Sequence, residues 1–346
     1  MTVNILIVGA GAVGAFYASR LAHLPNTQIS VICRSNYTAV AANGFSVTSP
    51  QYGSYTFTPQ HTFANPREAR EANIEWDYIV VSTKALPDVS DDSVILEGLV
   101  RDGNRRTAIV LIQNGLGVES PYLSRFPNAI ILSAVTIVSA AQTSPGVIKH
   151  NRWTRISIGP YLSSSGDSGT STTEGVHKIA IKSNERFVQL LQAGGIKDAE
   201  AYSAEKLQLV RWHKIAINAS MNPSAVLSYG STNNAMAKDP ELYCHLKGVM
   251  DEVLATAPKV LGTQLPKEFA TSEAILRSTM RNTSGSKPSM LLDWESGKRM
   301  ELEVILGNPI RIAREKGLEM PRLQSLYALL RMAQENRENQ KQSSKI

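Results

Sequence analysis

The strongest constraint on this chain sits at its start. Residues Val3 to Val8 form a nearly unbroken apolar, β-branched run, the signature of a strand buried on both faces. Gly9-Ala10-Gly11-Ala12-Val13-Gly14 follows at once, a G-x-G-x-x-G spacing. Ala12 to Leu24 then reads as a helix and Ile29 to Cys33 as a second short strand. That is one β-α-β unit, and it gives each glycine a separate task. Gly9 permits the tight turn, Gly11 lets the backbone approach a pyrophosphate, and Gly14 lets the helix pack on the strand. The unpaired N–H groups of the helix start favour an anion there. Dinucleotide binding by Gly9, Ala10, Gly11, Ala12, Val13 and Gly14 is the expectation.

Further strands are predicted at Trp76–Ser82, Thr107–Ile112 and Ala129–Val138, with helical stretches around Val89–Val100 and Val118–Arg125. Alternation of this kind implies a mostly parallel sheet covered on both faces. Phe45–Val47 and Tyr55–Thr58 read as an inserted hairpin, and Val147–Lys149 and Arg155–Ile158 as late, partly antiparallel strands. Ser163 to Glu174 is rich in Ser, Gly and Thr and reads as a flexible loop. A helix at Glu185–Gln192 and a short strand near Ile196–Tyr202 close the first domain.

From Glu205 to about Gln334 helical periodicity dominates, with breaks expected at Pro223, Pro240, Pro266, Pro288 and Pro321. The fold class is therefore α/β: an N-terminal Rossmann-type doubly wound sheet with a C-terminal all-helical domain. The expected bounds are 1–203 for the nucleotide-binding domain and 204–334 for the helical substrate domain, with a polar, disordered tail at 335–346.

Composition narrows the function classes. Hydrophobic residues make up 42% and charged residues 19%, as in ordinary globular proteins. The two cysteines, Cys33 and Cys244, cannot build a disulfide framework or a metal-type spacing, which fits a reducing compartment. No basic leader precedes the first strand and no apolar run reaches the ~18–20 residues of a membrane span, so a cytoplasmic protein with no membrane partner is expected. The net charge of +6 favours anionic partners, but no basic run or nucleic-acid motif accompanies it.

Further positions carry chemistry. After the second strand stands Arg34, followed by Ser35 and Asn36, where an acidic residue would select NAD. A guanidinium there suits a 2′-phosphate, so NADP(H) is expected. Lys84 and Gln113-Asn114-Gly115-Leu116-Gly117 follow predicted strands, at carboxyl ends where open α/β sheets bind ligands. Lys214, Asn218 and Asn222 are spaced four apart, forming one polar stripe among Ile215, Ala216, Ile217 and Ala219. A lysine in such a setting is costly unless paired or functional. Ser289, Asp293 and Glu301 form a later polar cluster.

Taken together, GAGAVG, Arg34, Lys84 in Ser-Thr-Lys-Ala, QNGLG at Gln113–Gly117, the Lys214 stripe, and Ser289-Met290 with Asp293 and Glu301 resemble the ketopantoate reductase family in order along nearly the whole chain. The resemblance implies NADPH-dependent reduction of 2-dehydropantoate to (R)-pantoate, a step toward pantothenate and coenzyme A. It implies Lys214 and Glu301 as catalytic residues, the lysine as general acid and the glutamate orienting the substrate hydroxyl. Asn114, Asn218, Asn222 and Ser289 would hold a small anionic oxo acid. Lys84, Asn114 and Glu301 would border the cofactor, with Arg34 on its 2′-phosphate. Two other readings stand beside it: a reductase or dehydrogenase for another small oxo or hydroxy acid, and a non-catalytic NADP(H)-sensing regulator. A homodimer is compatible with the helical domain, since an apolar helix face reads alike within and between chains.

Overall fold

A computed structural model describes residues 2–100, 107–162 and 171–343. The chain divides into two compact units. One comprises the described residues of Met1–Lys84, Asp91–Gln113 and Val118–Leu207, the other those of Ala85–Ser90, Asn114–Gly117 and Gln208–Ile346. Two short segments that follow strands of the first unit thus belong to the second.

The first unit is built on a ten-stranded mixed sheet. In chain order the strands are β1 (Val3–Val8), β2 (Thr27–Ile32), β3 (Phe45–Ser49), β4 (Gly53–Phe57), β5 (His61–Phe63), β6 (Tyr78–Val81), β7 (Ala108–Leu111), β8 (Ile130–Ser144), β9 (Val147–Pro160) and β10 (Ala199–Ala201). They lie in the order β4-β3-β9-β8-β7-β6-β1-β2-β5, with β10 on β9. From β8 to β5 all neighbours are parallel, and the chain reverses direction across the sheet at β1, between β2 and β6. That reversal is the switch point of a Rossmann sheet. The doubly buried strands explain the unbroken apolar runs. Ile5, Ile7, Val80 and Val110 join one core with Phe16, Tyr17 and Leu21. Their neighbours Leu6, Val8, Val81 and Leu111 join another with Ala69, Leu96 and Tyr122. Each such side chain contributes roughly 1.5–3 kcal/mol on burial.

Helices α1 (Ala12–Leu21), α2 (Tyr37–Asn43), α3 (Pro66–Glu71), α4 (Ser120–Arg125) and α5 (Ser171–Ala193) accompany the sheet. β3 and β4 are the expected hairpin, paired antiparallel. The late strands differ from expectation. Val147–Lys149 and Arg155–Ile158 belong to one strand, β9, antiparallel to β8. The gap in apolar pattern between them is a bulge, where Trp153 sits at φ 59° and His150 meets its carbonyl. The helix predicted over Val89–Val100 shrinks to a 3-10 turn at Asp92–Leu96. The Asp91 side chain accepts from Ser93 N at its start, and Gly98 at φ 70° ends the segment. The first eight residues of the loop expected at Ser163–Glu174 lie outside the described residues. Residues 171–174 begin α5, which is longer than the predicted Glu185–Gln192. Polar Asn184 hides its helical core role, because its buried Nδ2 donates to Ile158 O at 3.0 Å.

The second unit is helical. After α6 (Ala204–Leu227) come α7 (Asn233–Lys238), α8 (Pro240–Leu261), α9 (Ser272–Arg281), α10 (Ser289–Glu295), α11 (Asn308–Glu315) and α12 (Pro321–Ser343), with a π-turn at Glu303–Gly307. Pro223 does not break α6 as expected. The helix runs through it, with Pro223 buried in the continuous Ala204–Leu227 span. Nor is the chain disordered from 335: α12 continues to Ser343. Its polar side chains have tertiary partners. Gln334 Oε1 accepts from Met300 N at 2.8 Å, and Arg337 stacks on Trp294 while donating to Lys298 O. Among the described residues no helix is long and apolar enough to cross a membrane, and no His/Cys/Asp/Glu group could hold a metal ion.

Candidate active site

Register brings the first set of residues to one sheet edge. Val8 pairs with Ile32 and with Val81, and Val81 with Leu111, so β2, β1, β6 and β7 end level with one another. Arg34, the Gly9–Gly14 turn, Lys84 and Gln113 all leave the sheet there. Arg34 and Lys84 are exposed. Asn36 is buried and serves the turn: its Nδ2 donates to Ala10 O at 2.8 Å and to Gln142 Oε1 at 3.1 Å. Ser82 Oγ donates to Gly9 O at 2.8 Å. Inside the turn Gly11 N–H donates to Gly9 O at 2.7 Å, so the N–H groups open to a ligand are those at the start of α1, from Ala12 to Gly14.

The three glycines are required for different reasons. Gly9 has φ 93°, and a Cβ there would stand 2.7 Å from Thr83 N. A Cβ on Gly14 would strike Ser82 Oγ and stand 2.6 Å from Gly9 O. Gly11 is different: its φ is −81°, and a Cβ there would meet nothing within 4 Å. Among the described residues no atom demands glycine at residue 11, so the open space beside it is room for something else. The start of α1 fits a dinucleotide pyrophosphate on this observation, and no acidic residue occupies its first turn.

The second set lies in the helical unit. Along α6, Lys214, Asn218 and Asn222 share one face, while Ile215, Ala216 and Ala219 are buried on the other side. Lys214 is half-buried, and its Nζ donates to Asn114 Oδ1 at 2.7 Å. Loss of water around the ammonium is the largest cause that pushes its pKa down to about 8. The Arg211 guanidinium lowers it further, and the Glu301 carboxylate opposes both. Glu301 is buried and its Oε1 accepts from Ala85 N at 3.1 Å. Asn222 is buried too, and its Nδ2 donor has no partner among the described residues. A buried amide without a partner costs roughly 1–3 kcal/mol, which a bound acceptor would recover. Ser289 opens α10 with an exposed side chain, and Asp293 is buried on the same helix.

The Asn114–Gly117 turn is itself held by this unit. Arg211, 2% exposed, donates from Nη1 to Gly115 O at 2.8 Å. Leu116 N donates to Val304 O at 2.8 Å, and Asn308 Nδ2 to Leu116 O at 2.6 Å. Val304 can accept because of the π-turn. Asn308 N bonds back to Glu303 O, five residues away, and the residue that would bond Val304 O in that winding is Pro309, which has no N–H. Arg211, Val304 and Asn308 were missed in the sequence. Only Arg211 left a signal there, as a charge one turn before Lys214 in an apolar stretch.

Comparison with known proteins agrees with this architecture. Residues 5–163 match the family model described as ketopantoate reductase PanE/ApbA, and residues 206–334 match its C-terminal counterpart. These matches set the chain among the nicotinamide-dinucleotide-dependent oxidoreductases. Within that class, it belongs to the ketopantoate reductase family. It is 26% identical to a 2-dehydropantoate 2-reductase of Nostoc, over 94% of this chain and 93% of the relative. An uncharacterised protein of Saccharomyces cerevisiae is 29% identical, over 96% and 93% respectively. The crystal structure of 2-dehydropantoate 2-reductase from Methylococcus capsulatus superposes with a TM-score of 0.77 at 29% identity, covering 97% of this chain and 98% of that one.

Proposed function

We propose that this chain reduces 2-dehydropantoate to (R)-pantoate with NADPH, in the cytoplasm, as a step toward pantothenate and coenzyme A. The observation that carries the reading is the Lys214 ammonium, hydrogen-bonded to Asn114 and shifted to a pKa of about 8. When bound, the nicotinamide supplies a hydride to the ketone carbon. Negative charge then develops on the ketone oxygen, and a neighbouring ammonium both stabilises it and delivers the proton that makes the hydroxyl. A free lysine near 10.4 would be a reluctant donor at neutral pH, and one near 8 is better matched.

The other roles follow from chemistry. Glu301 acts on Lys214 by charge and orients the substrate hydroxyl. Asn222 offers a buried donor, and with Asn218, Asn114 and Ser289 it holds the small anionic oxo acid. The N-terminal unit binds the cofactor at Gly9–Gly14, with Lys84, Asn114 and Glu301 bordering it. Arg34, exposed beyond β2, takes the 2′-phosphate that NADPH carries and NADH lacks. The helical unit holds substrate, and its apolar helix faces are compatible with a homodimer.

The test is an NADPH-oxidation assay over a panel of 2-oxo, 3-oxo and hydroxy acids. Ketopantoate is expected to give the highest kcat/KM, and NADPH to outperform NADH, with Arg34→Ala narrowing that gap. A different preferred acid would move the assignment to another reductase of this plan. Tight NADP binding without turnover of any acid would make the chain a sensor.

A further inference from the structure

Arg211 is a cation buried beside another cation. Burial next to Lys214 is unfavourable for both charges, so its presence calls for a return. The return visible in the structure is the hydrogen bond from Nη1 to Gly115 O. Gly115 is buried at φ 102°, with Val304 O and Cγ2 each 2.6 Å from where a Cβ would lie. The residue before it, Asn114, accepts from Lys214 Nζ. One turn of α6 thus grips the Asn114–Gly117 segment twice, through Arg211 on a backbone carbonyl and through Lys214 on a side-chain carbonyl.

We infer that Arg211 is a positioning residue, whose guanidinium fixes the Asn114–Gly117 turn so that the Asn114 carbonyl oxygen orients the Lys214 ammonium. Lysine has three rotatable donors on a flexible stem and does not aim itself. A carbonyl held at 2.7 Å aims one donor and leaves the others for the reacting oxygen. The guanidinium has a second effect. Arg211 and Glu301 are the charged groups that act on Lys214, and Arg211 disfavours its protonated form. This inference rests on the reading of Lys214 as proton donor.

The experiment compares wild type, Arg211→Gln and Arg211→Lys, each with and without Asn114→Ala, with Lys214→Ala as control. Gln keeps an amide donor but loses the charge; Lys keeps the charge but loses the fork. Arg211→Gln is expected to lower kcat by roughly 10- to 100-fold with KM for the oxo acid changed far less. In the Asn114→Ala background the same change should cost little more, because the side chain that the held turn presents to Lys214 is gone, although Gly115 O still meets Arg211. Lys214 titration is read separately, from the pH dependence of its acetylation by acetic anhydride in the intact protein. Its midpoint is expected near 8 in wild type, at higher pH in Arg211→Gln, and unchanged in Arg211→Lys. An equal loss of kcat in both backgrounds, or an unmoved midpoint in Arg211→Gln, overturns the inference. Should Arg211→Gln fail to fold, Arg211→Lys decides by the same cycle: its loss must vanish when Asn114 is removed. Near-normal kcat in Lys214→Ala would overturn the proton-donor reading itself, whatever the Arg211 variants do.

Discussion

The turn after β1 and the turn after β7 are both rich in glycine, yet their glycines answer to different neighbours. At Gly115 the protein itself demands glycine, through φ 102° and the side chain and carbonyl of Val304. At Gly11 nothing in the protein does: φ is ordinary and the direction of a Cβ is empty. A glycine required by packing belongs to the fold. One that packing does not require carries meaning at Gly11 because it opens a helix start whose N–H groups face an anion site, whereas Gly175, equally unhindered inside α5, has no such setting.

This contrast is open to direct challenge. Gly11→Val is expected to weaken dinucleotide binding on the order of 100-fold, since it fills space reserved for the pyrophosphate. Its folded stability should change by only about 1 kcal/mol. Calorimetric titration and thermal melting read the two effects, and a variant that binds normally would dissolve the distinction. Gly115→Ala should behave in the opposite sense, destabilising the protein by at least about 2 kcal/mol through strain and contact with Val304. Chemical denaturation checks it, and an unchanged midpoint would mean that the turn is looser than its hydrogen bonds indicate.

The smallest expected effect concerns Lys214, which the turn after β7 meets through Asn114. A lysine whose pKa falls on folding costs stability wherever it is protonated. With a folded value of about 8 against an ordinary 10.5, the cost is fully present below pH 8 and gone above 10.5. In that window the unfolded chain binds the extra proton, so wild-type stability rises with pH. Lys214→Met is therefore expected to raise Tm by roughly 2–4 °C at pH 7, an advantage that shrinks as pH climbs past 8. A variant less stable than wild type at pH 7 would show that the ammonium is better solvated than its surroundings suggest.

Much of this was legible in the sequence because it is local. The apolar runs of β1, β6 and β7, the glycine spacing and the four-residue rhythm of Lys214, Asn218 and Asn222 each depend on neighbours a few positions away. What could not be read depends on distant partners. Glu301 meets Ala85 across 216 positions, and Asn308 meets Leu116 across 192. No periodicity announces that residues 85–90 and 114–117 belong with the helical unit. The misread elements share that origin. Polar residues at 335–343 looked unpartnered until Trp294, Gly297 and Lys298 supplied partners. Pro223 reads locally as a stop, yet it lies buried within the continuous helix α6.

Pro309 shows how little it takes to assign a carbonyl. A proline in a helix is ordinarily counted as a defect, a bond that cannot form. Here the absent hydrogen is what leaves Val304 O unclaimed by its own helix, and Leu116, from a segment nearly two hundred residues earlier, takes it instead. The vacancy works as a socket: because the local chain has nothing to plug into it, only a remote strand-end turn fits, and the turn that carries Asn114 is seated by a bond no nearby donor can steal.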